Sequence, residues 1–236
     1  MGDMVAVYLE IGTTRIFAGA IDWPGWCRSA RTEADALQAL VAYGPRYQAV
    51  VGRGTPPFHA PPDVSKLMVV ERLEGGSGTD FGVPGRAPVA DERPLDEREL
   101  ARFRRLLARC WSVFDAAAAA AVGVELRKGP RGGGRDLDKI VAHVRGADEG
   151  YLVQLGSRVP KPKRQGAAPE EVLRATILDA LAARARGQSP ADPNKVKKLW
   201  SPRYHVRRAT WHILDHAWEI EDRASPASPD GGTRKA

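Results

Sequence analysis

Two patterns of apolar residues divide the chain. Near its start, VAVYLEIG (5–12) and TRIFAGAI (14–21) are rich in β-branched and aromatic residues and flank a short turn at Thr13-Thr14, which predicts a hairpin. DWPGWCRSA (22–30) follows, with Pro24-Gly25 as a turn. Thr32 with Asp35 three residues on predicts the capped start of a helix whose apolar stripe is Leu37, Leu40, Val41 and Tyr47. Pro45 is expected to bend or end that helix. LMVVERLE (67–74) adds a strand, giving a β-β-α-β or β-β-β-α-β unit over residues 1–74. Residues 52–64 and 75–94 are rich in Gly and Pro and aperiodic, and 75–95 is expected to be an interdomain linker.

From Asp96 the period becomes helical. Asp96 and Glu99 resemble a capping box, and Leu100, Phe103, Leu106, Leu107, Cys110, Val113 and Phe114 are spaced by three and four. Further helices are expected from near Asp136 to Leu155, from Pro169-Glu170 to Arg186 and from Pro202 to Arg223. Four long helices over residues 96–223 imply a four-helix bundle. The expected fold class is therefore α+β, an α/β unit followed by a bundle, with a polar tail at 224–236 expected to be disordered.

Composition narrows the possibilities. With 43% apolar residues in 236, the chain can bury two modest cores. No apolar run of about 18 residues is present to span a bilayer and no secretory leader pattern opens the chain, so a cytoplasmic protein without a membrane partner is expected. Cys27 and Cys110 lack metal or redox spacing and read as buried filler. The net charge of +7 is uneven: residues 1–95 hold 9 Lys/Arg against 11 Asp/Glu, and residues 96–236 hold 27 against 18. Basic clusters at 127–135, 161–164 and 195–203 carry few aromatics for base stacking, so nucleic acid is not the expected partner. Small anionic ligands, or a merely solvated basic surface, account for them as well. The sequence does not set the oligomeric state, and a homodimer is compatible with it.

Chemistry concentrates in the last helix. His205, Ala209, His212, His216 and Glu219 advance by four, three, four and three, so they share one helix face. A buried imidazole must find a hydrogen-bond partner or a metal, and imidazoles at i and i+4 can bind one ion. In the second helix of the bundle Ile140, His143, Ala147 and Tyr151 define an inward seam, which turns His143 toward the bundle interior. An HxxxH pair arises often by chance and a lone inward His is usually a hydrogen-bonded core residue; it is the third histidine on a facing seam that favours a metal. Three neutral imidazoles, His143, His212 and His216, suit Zn²⁺, Ni²⁺ or Fe²⁺ and leave a coordination position open. Asp215, Glu219 and Asp148 are candidates to orient the ring N–H groups, and Glu219 and His205 are candidate catalytic groups. RKGPRGGGRD (127–136) delivers Arg127, Lys128, Arg131 and Arg135 to the N-terminus of the second bundle helix, where they could hold an anionic substrate or cofactor group. A flexible basic loop explains this stretch equally well, and no nucleotide P-loop pattern is present.

One His in the second helix and HxxxH in the fourth, within the phrase WHILDHAWEIEDR, resemble the DinB/YfiT-like superfamily of metalloenzymes over residues 96–223. That resemblance implies a divalent metal held by His143, His212 and His216, whose open position activates the sulfur of a low-molecular-weight thiol such as mycothiol or bacillithiol, or a water. The implied activity is a thiol-dependent S-transferase or isomerase, with a metal-dependent hydrolase as the alternative enzyme. DWPGWCRSARTEADALQAL is similar to the HicB-like fold, in which a Pro-Gly turn and strand lead into the helix. This chain departs from HicB antitoxins in having a bundle where a DNA-binding segment would stand. A non-catalytic HicB-like module that binds protein or RNA on a helical scaffold is the rival reading.

Overall fold

The computed structural model describes residues 4–52, 54, 56–128, 134–160, 169–188 and 199–224. Its architecture is mixed α+β. β1 (Val5–Ile11) and β2 (Ile16–Ala20) form an antiparallel hairpin, and β3 (Cys27–Ala30) extends it beside β2. The chain then runs through α1 (Glu33–Ala42) and α2 (Gly44–Val51) before β4 (Leu67–Glu74) pairs parallel to β1, for a strand order of β3-β2-β1-β4. The α1 cap is as the sequence implies, with the Thr32 hydroxyl accepting from the Asp35 N–H at 3.1 Å. α1 ends at Ala42, and Pro45 stands in the first turn of α2, where its missing N–H costs no hydrogen bond.

Strand alternation sends Val7, Leu9, Ala18 and Ala20 into one cluster with Ala36 and Leu40 of α1. On the opposite face Phe17 and Cys27 meet Trp211. That tryptophan belongs to the last of four long helices, α4 (Glu97–Ala120), α5 (Leu137–Gln154), α6 (Glu170–Ala185) and α7 (Pro202–Ala224), which follow the short α3 (Ser77–Phe81). All four start within about a residue of the expected positions, because caps and prolines are local signals. The Asp96 carboxylate accepts from the Glu99 N–H at 2.7 Å, and Pro202 opens α7.

α7 is buried almost all the way round, as a helix enclosed on every side must be. One side packs on α4, α5 and α6. Another meets the α/β unit: Trp211 lies edge-on to Phe17 at 6.0 Å, Trp218 meets Tyr43 at 5.3 Å, and Arg207 donates to the carbonyls of Ala20 and Ile21 at 2.6 and 2.8 Å.

Residues 75–95 are not a free linker. The buried Glu10 carboxylate accepts from Thr79 Oγ1 at 2.5 Å and from the Gly85 and Arg86 N–H groups, both at 3.0 Å. Asp91, 1% exposed, forms a two-pronged ion pair with Arg207, each arm 2.7 Å. The stretch is held through backbone groups and isolated charges, which leave no apolar period in the sequence. A single hydrophobic cluster runs from Val7 to Ile220, so the boundary expected between residues 74 and 96 does not divide the core. Among the described residues no helix is long and apolar enough to cross a membrane. The tail expected to be disordered lies outside the described residues after Ala224.

Candidate metal centre

α5 and α7 bring His143, His212 and His216 together. Their ligand atoms lie within 4.8 Å of one another. His212 and His216 are one turn apart on α7, with ring centroids 4.7 Å apart, and the His143 ring stands 4.9 Å from each. His143 Nε2 and His212 Nε2 are 3.1 Å apart. Two neutral imidazole nitrogens that close either share a proton or face one cation, and ligands about 2.0–2.1 Å from a tetrahedral ion would sit roughly 3.3 Å apart.

The protonation states suit ligation. Burial, reinforced by the neighbouring His216, Arg208, His143 and Arg135, pushes the His212 pKa down to about 2. Burial and then Arg135 and His216 hold His143 below its ordinary range. Both rings are therefore neutral at pH 7 with lone pairs to give. His216 Nδ1 is 2.7 Å from Glu219 Oε2. The hydrogen bond to His216 and the proximity of Arg223 hold Glu219 below the usual carboxylate range, so it is ionised and can only accept. His216 consequently donates from Nδ1, which leaves Nε2 as the nitrogen to face a metal, the arrangement expected of a ligand oriented by a carboxylate. Arg223 Nη1 in turn donates to Glu219 Oε1 at 2.7 Å, and Arg223 Nε donates to the Arg127 carbonyl at 2.7 Å.

No family model, curated protein or solved structure matches this chain. The site rests on its own geometry.

Of the residues singled out from sequence, Glu219 stands beside the cluster as an orienting carboxylate. Asp215 pairs instead with Arg28 at 2.7 Å, and Asp148 accepts from Trp111 Nε1 at 2.9 Å, so neither touches a histidine of the cluster. His205 lies outside the cluster, two turns before His212 or about 10 Å along the axis. It is 1% exposed, and burial pushes its pKa down to about 4 against a weaker opposing effect of the Tyr151 backbone. Arg127 is a fastener: its N–H donates to the Arg223 carbonyl at 3.0 Å and its guanidinium to that of Asp222, tying the loop to the end of α7. Arg135 is exposed but close enough for its charge to depress both His143 and His212. Lys128 is exposed, and Arg131 lies outside the described residues.

Two features escaped the sequence reading. The core stripe of α5 is Ile140, Val144, Asp148 and Leu152, one position round from the expected seam, so His143 and Tyr151 sit half-buried on its flank and the cluster lies at the edge of the core. Arg208 is the second. It precedes His212 by four residues on α7, and that spacing was its only signal.

Proposed function

We propose that this protein is a metal-dependent enzyme in which His143, His212 and His216 hold one divalent ion, of the kind the DinB-like resemblance implies. The observation that carries the reading is the convergence of three imidazoles, two held neutral and the third oriented by Glu219, at a place where α5 turns its half-buried flank outward. When bound, the ion supplies Lewis acidity toward a thiol or a water, and three protein ligands leave a position for it. Zinc, nickel and iron(II) all suit an all-imidazole donor set.

The chain's own residues do the rest. Glu219 fixes the His216 tautomer, and Arg223 holds Glu219 in place while keeping it ionised. An ionised, salt-bridged Glu219 positions a ring rather than carrying protons. Arg135 places positive charge beside the cluster, which favours an anionic reactant such as a thiolate. A thiol-dependent transferase or isomerase using mycothiol or bacillithiol is the activity proposed.

Elemental analysis of full-length protein, purified without chelator or immobilised-metal affinity, tests the centre. The parent is expected to carry about one equivalent of divalent metal, and His212→Ala and His216→Ala to carry almost none. The exposed His59 serves as control, since His59→Ala should retain the ion. A full equivalent retained in both α7 variants sinks the assignment. Saturable binding of mycothiol or bacillithiol to the metal-loaded parent supports the thiol-dependent activity, and no binding of either refutes it.

A further inference from the structure

Beside the histidine cluster, a cavity of about 1060 Å³ opens where the C-terminal end of α5, the first turns of α7 and the 73–92 stretch meet. Tyr151, Trp200 and Tyr204 line it in a continuous aromatic wall, with ring centroids 5.1 Å and 4.9 Å apart in succession. Arg208 lines it too, and Arg208 is unlike the other arginines of α7. Arg203 pairs with Glu99, Arg207 with Asp91 and Arg223 with Glu219. Arg208 is 9% exposed, has no carboxylate partner among the described residues, and leaves its buried Nη1 without a hydrogen bond. Its guanidinium lies against two aromatic faces, 4.6 Å from the Trp211 ring centroid and 5.2 Å from that of Tyr151.

A desolvated guanidinium without an anion is costly, and cation–π contacts offset only part of that cost. Its planar fork matches an oxyanion. Glu74 and Glu92 also line the cavity and Arg86 joins them, but all three are exposed, so solvent weakens their fields relative to that of the buried Arg208. Tyr204, Arg208 and His212 succeed one another at i, i+4 and i+8, which makes a stripe along α7 from the cavity to the histidines. Tyr151 bridges the same gap, its ring 5.8 Å from that of His212.

We propose that this cavity is a binding site for a small organic carboxylate, with Arg208 gripping the carboxylate and Tyr151, Trp200 and Tyr204 covering an apolar or aromatic body. The pocket deepens the enzyme reading, on which its role as a substrate site rests: Arg208 holds the ligand's carboxylate one helical turn from His212. Phosphate could satisfy the guanidinium but would leave the aromatic wall unused, so the wall favours the organic anion.

Calorimetric titration of benzoate and of inorganic phosphate into the full chain, stripped with chelator, tests the pocket apart from the metal, which elemental analysis reports separately. Saturable benzoate binding is expected, weakened on the order of tenfold or more by Arg208→Gln, as loss of a sheltered charge-assisted contact implies. No benzoate binding, phosphate binding alone, or equal benzoate affinity in the variant overturns the proposal. Arg208→Met provides a readout that a structural arginine would fail. With an unpaired buried charge removed, it should melt at or above the temperature of the parent, and a variant that melts well below it would make Arg208 a structural residue and overturn the assignment.

Discussion

Asp148 shows how little of a buried charge's role can be read from its identity. It occupies the core stripe of α5 at 2% exposure and accepts a hydrogen bond from Trp111 of α4 at 2.9 Å. Burial raises its pKa to about 7; the Trp111 N–H and Arg174 pull it down, and Glu170 pushes it up. The folded state therefore keeps a proton that the unfolded chain loses near pH 4, so the group's favourable contribution is complete below that pH and is lost as pH rises toward about 7. Asp148→Asn keeps an acceptor for Trp111 and removes the ionisation. Urea titrations should find the variant more stable than the parent by on the order of a few kcal/mol at about pH 8, with the difference nearly gone at about pH 4. A difference that does not change with pH would show that Asp148 is not the titrating group. The same scale separates the histidines: Glu219 gives His216 a charged partner that orients it, whereas His205, of the same residue type on the same helix, is buried beside Trp200 and the Tyr151 backbone with no carboxylate on it among the described residues.

At the scale of elements, α7 depends on one glycine outside it. Gly25 adopts φ +92° in the turn before β3, and a Cβ there would stand 2.9 Å from Thr210 Oγ1, 3.0 Å from Thr210 Cβ and 3.3 Å from Leu214 Cδ1. Gly25→Ala is doubly unfavourable, by backbone conformation and by pushing α7 away from the turn, and should cost on the order of 1–3 kcal/mol. Denaturant midpoints measure it, and a loss below a few tenths would mean that α7 yields freely at this contact. Pro24-Gly25 could be read from sequence as a turn, but its contact with α7 could not, since the residues are 185 or more apart in sequence. The same distinction runs through the chain. The starts of α4, α5, α6 and α7 were legible because caps and prolines act locally. The shared face of His212 and His216 on α7 was legible because four residues make one turn. The inward face of α5 was not, because it is decided by partners distant in sequence, α6, α7 and the Trp111 indole of α4: Asp148 was expected to orient a histidine and instead accepts from Trp111, and Val144 was passed over for His143. Arg208 was invisible for a related reason, since an arginine on a helix announces nothing until its missing carboxylate is seen.

The whole molecule turns on α7, which serves two neighbours at once. Toward α5 it offers His212 and His216; toward the α/β unit it offers Trp211, Trp218, Leu214 and Arg207. A chain read as two domains with a linker would place such a helix in the bundle alone and leave that second face in water. Here the sheet, α1 and the 75–95 stretch cover it, and the Asp91–Arg207 ion pair is sealed where they meet. Residues 96–224 expressed alone would strand Arg207 without Asp91 and without the Ala20 and Ile21 carbonyls, and would expose Trp211 and Trp218. Breaking a buried pair by removing one partner costs about 3–5 kcal/mol, a large part of the stability of a domain this size, before the lost apolar burial is counted. The fragment should therefore keep helical far-ultraviolet circular dichroism but lose the near-ultraviolet signal of fixed tryptophans and unfold without a cooperative transition. A fragment with a sharp melting transition and native near-ultraviolet bands would show that the bundle folds by itself and that the α/β unit only docks upon it. Metal content adds a second measure under the proposed centre: a fragment whose α7 has lost its packing against the α/β unit is expected to carry well below one equivalent.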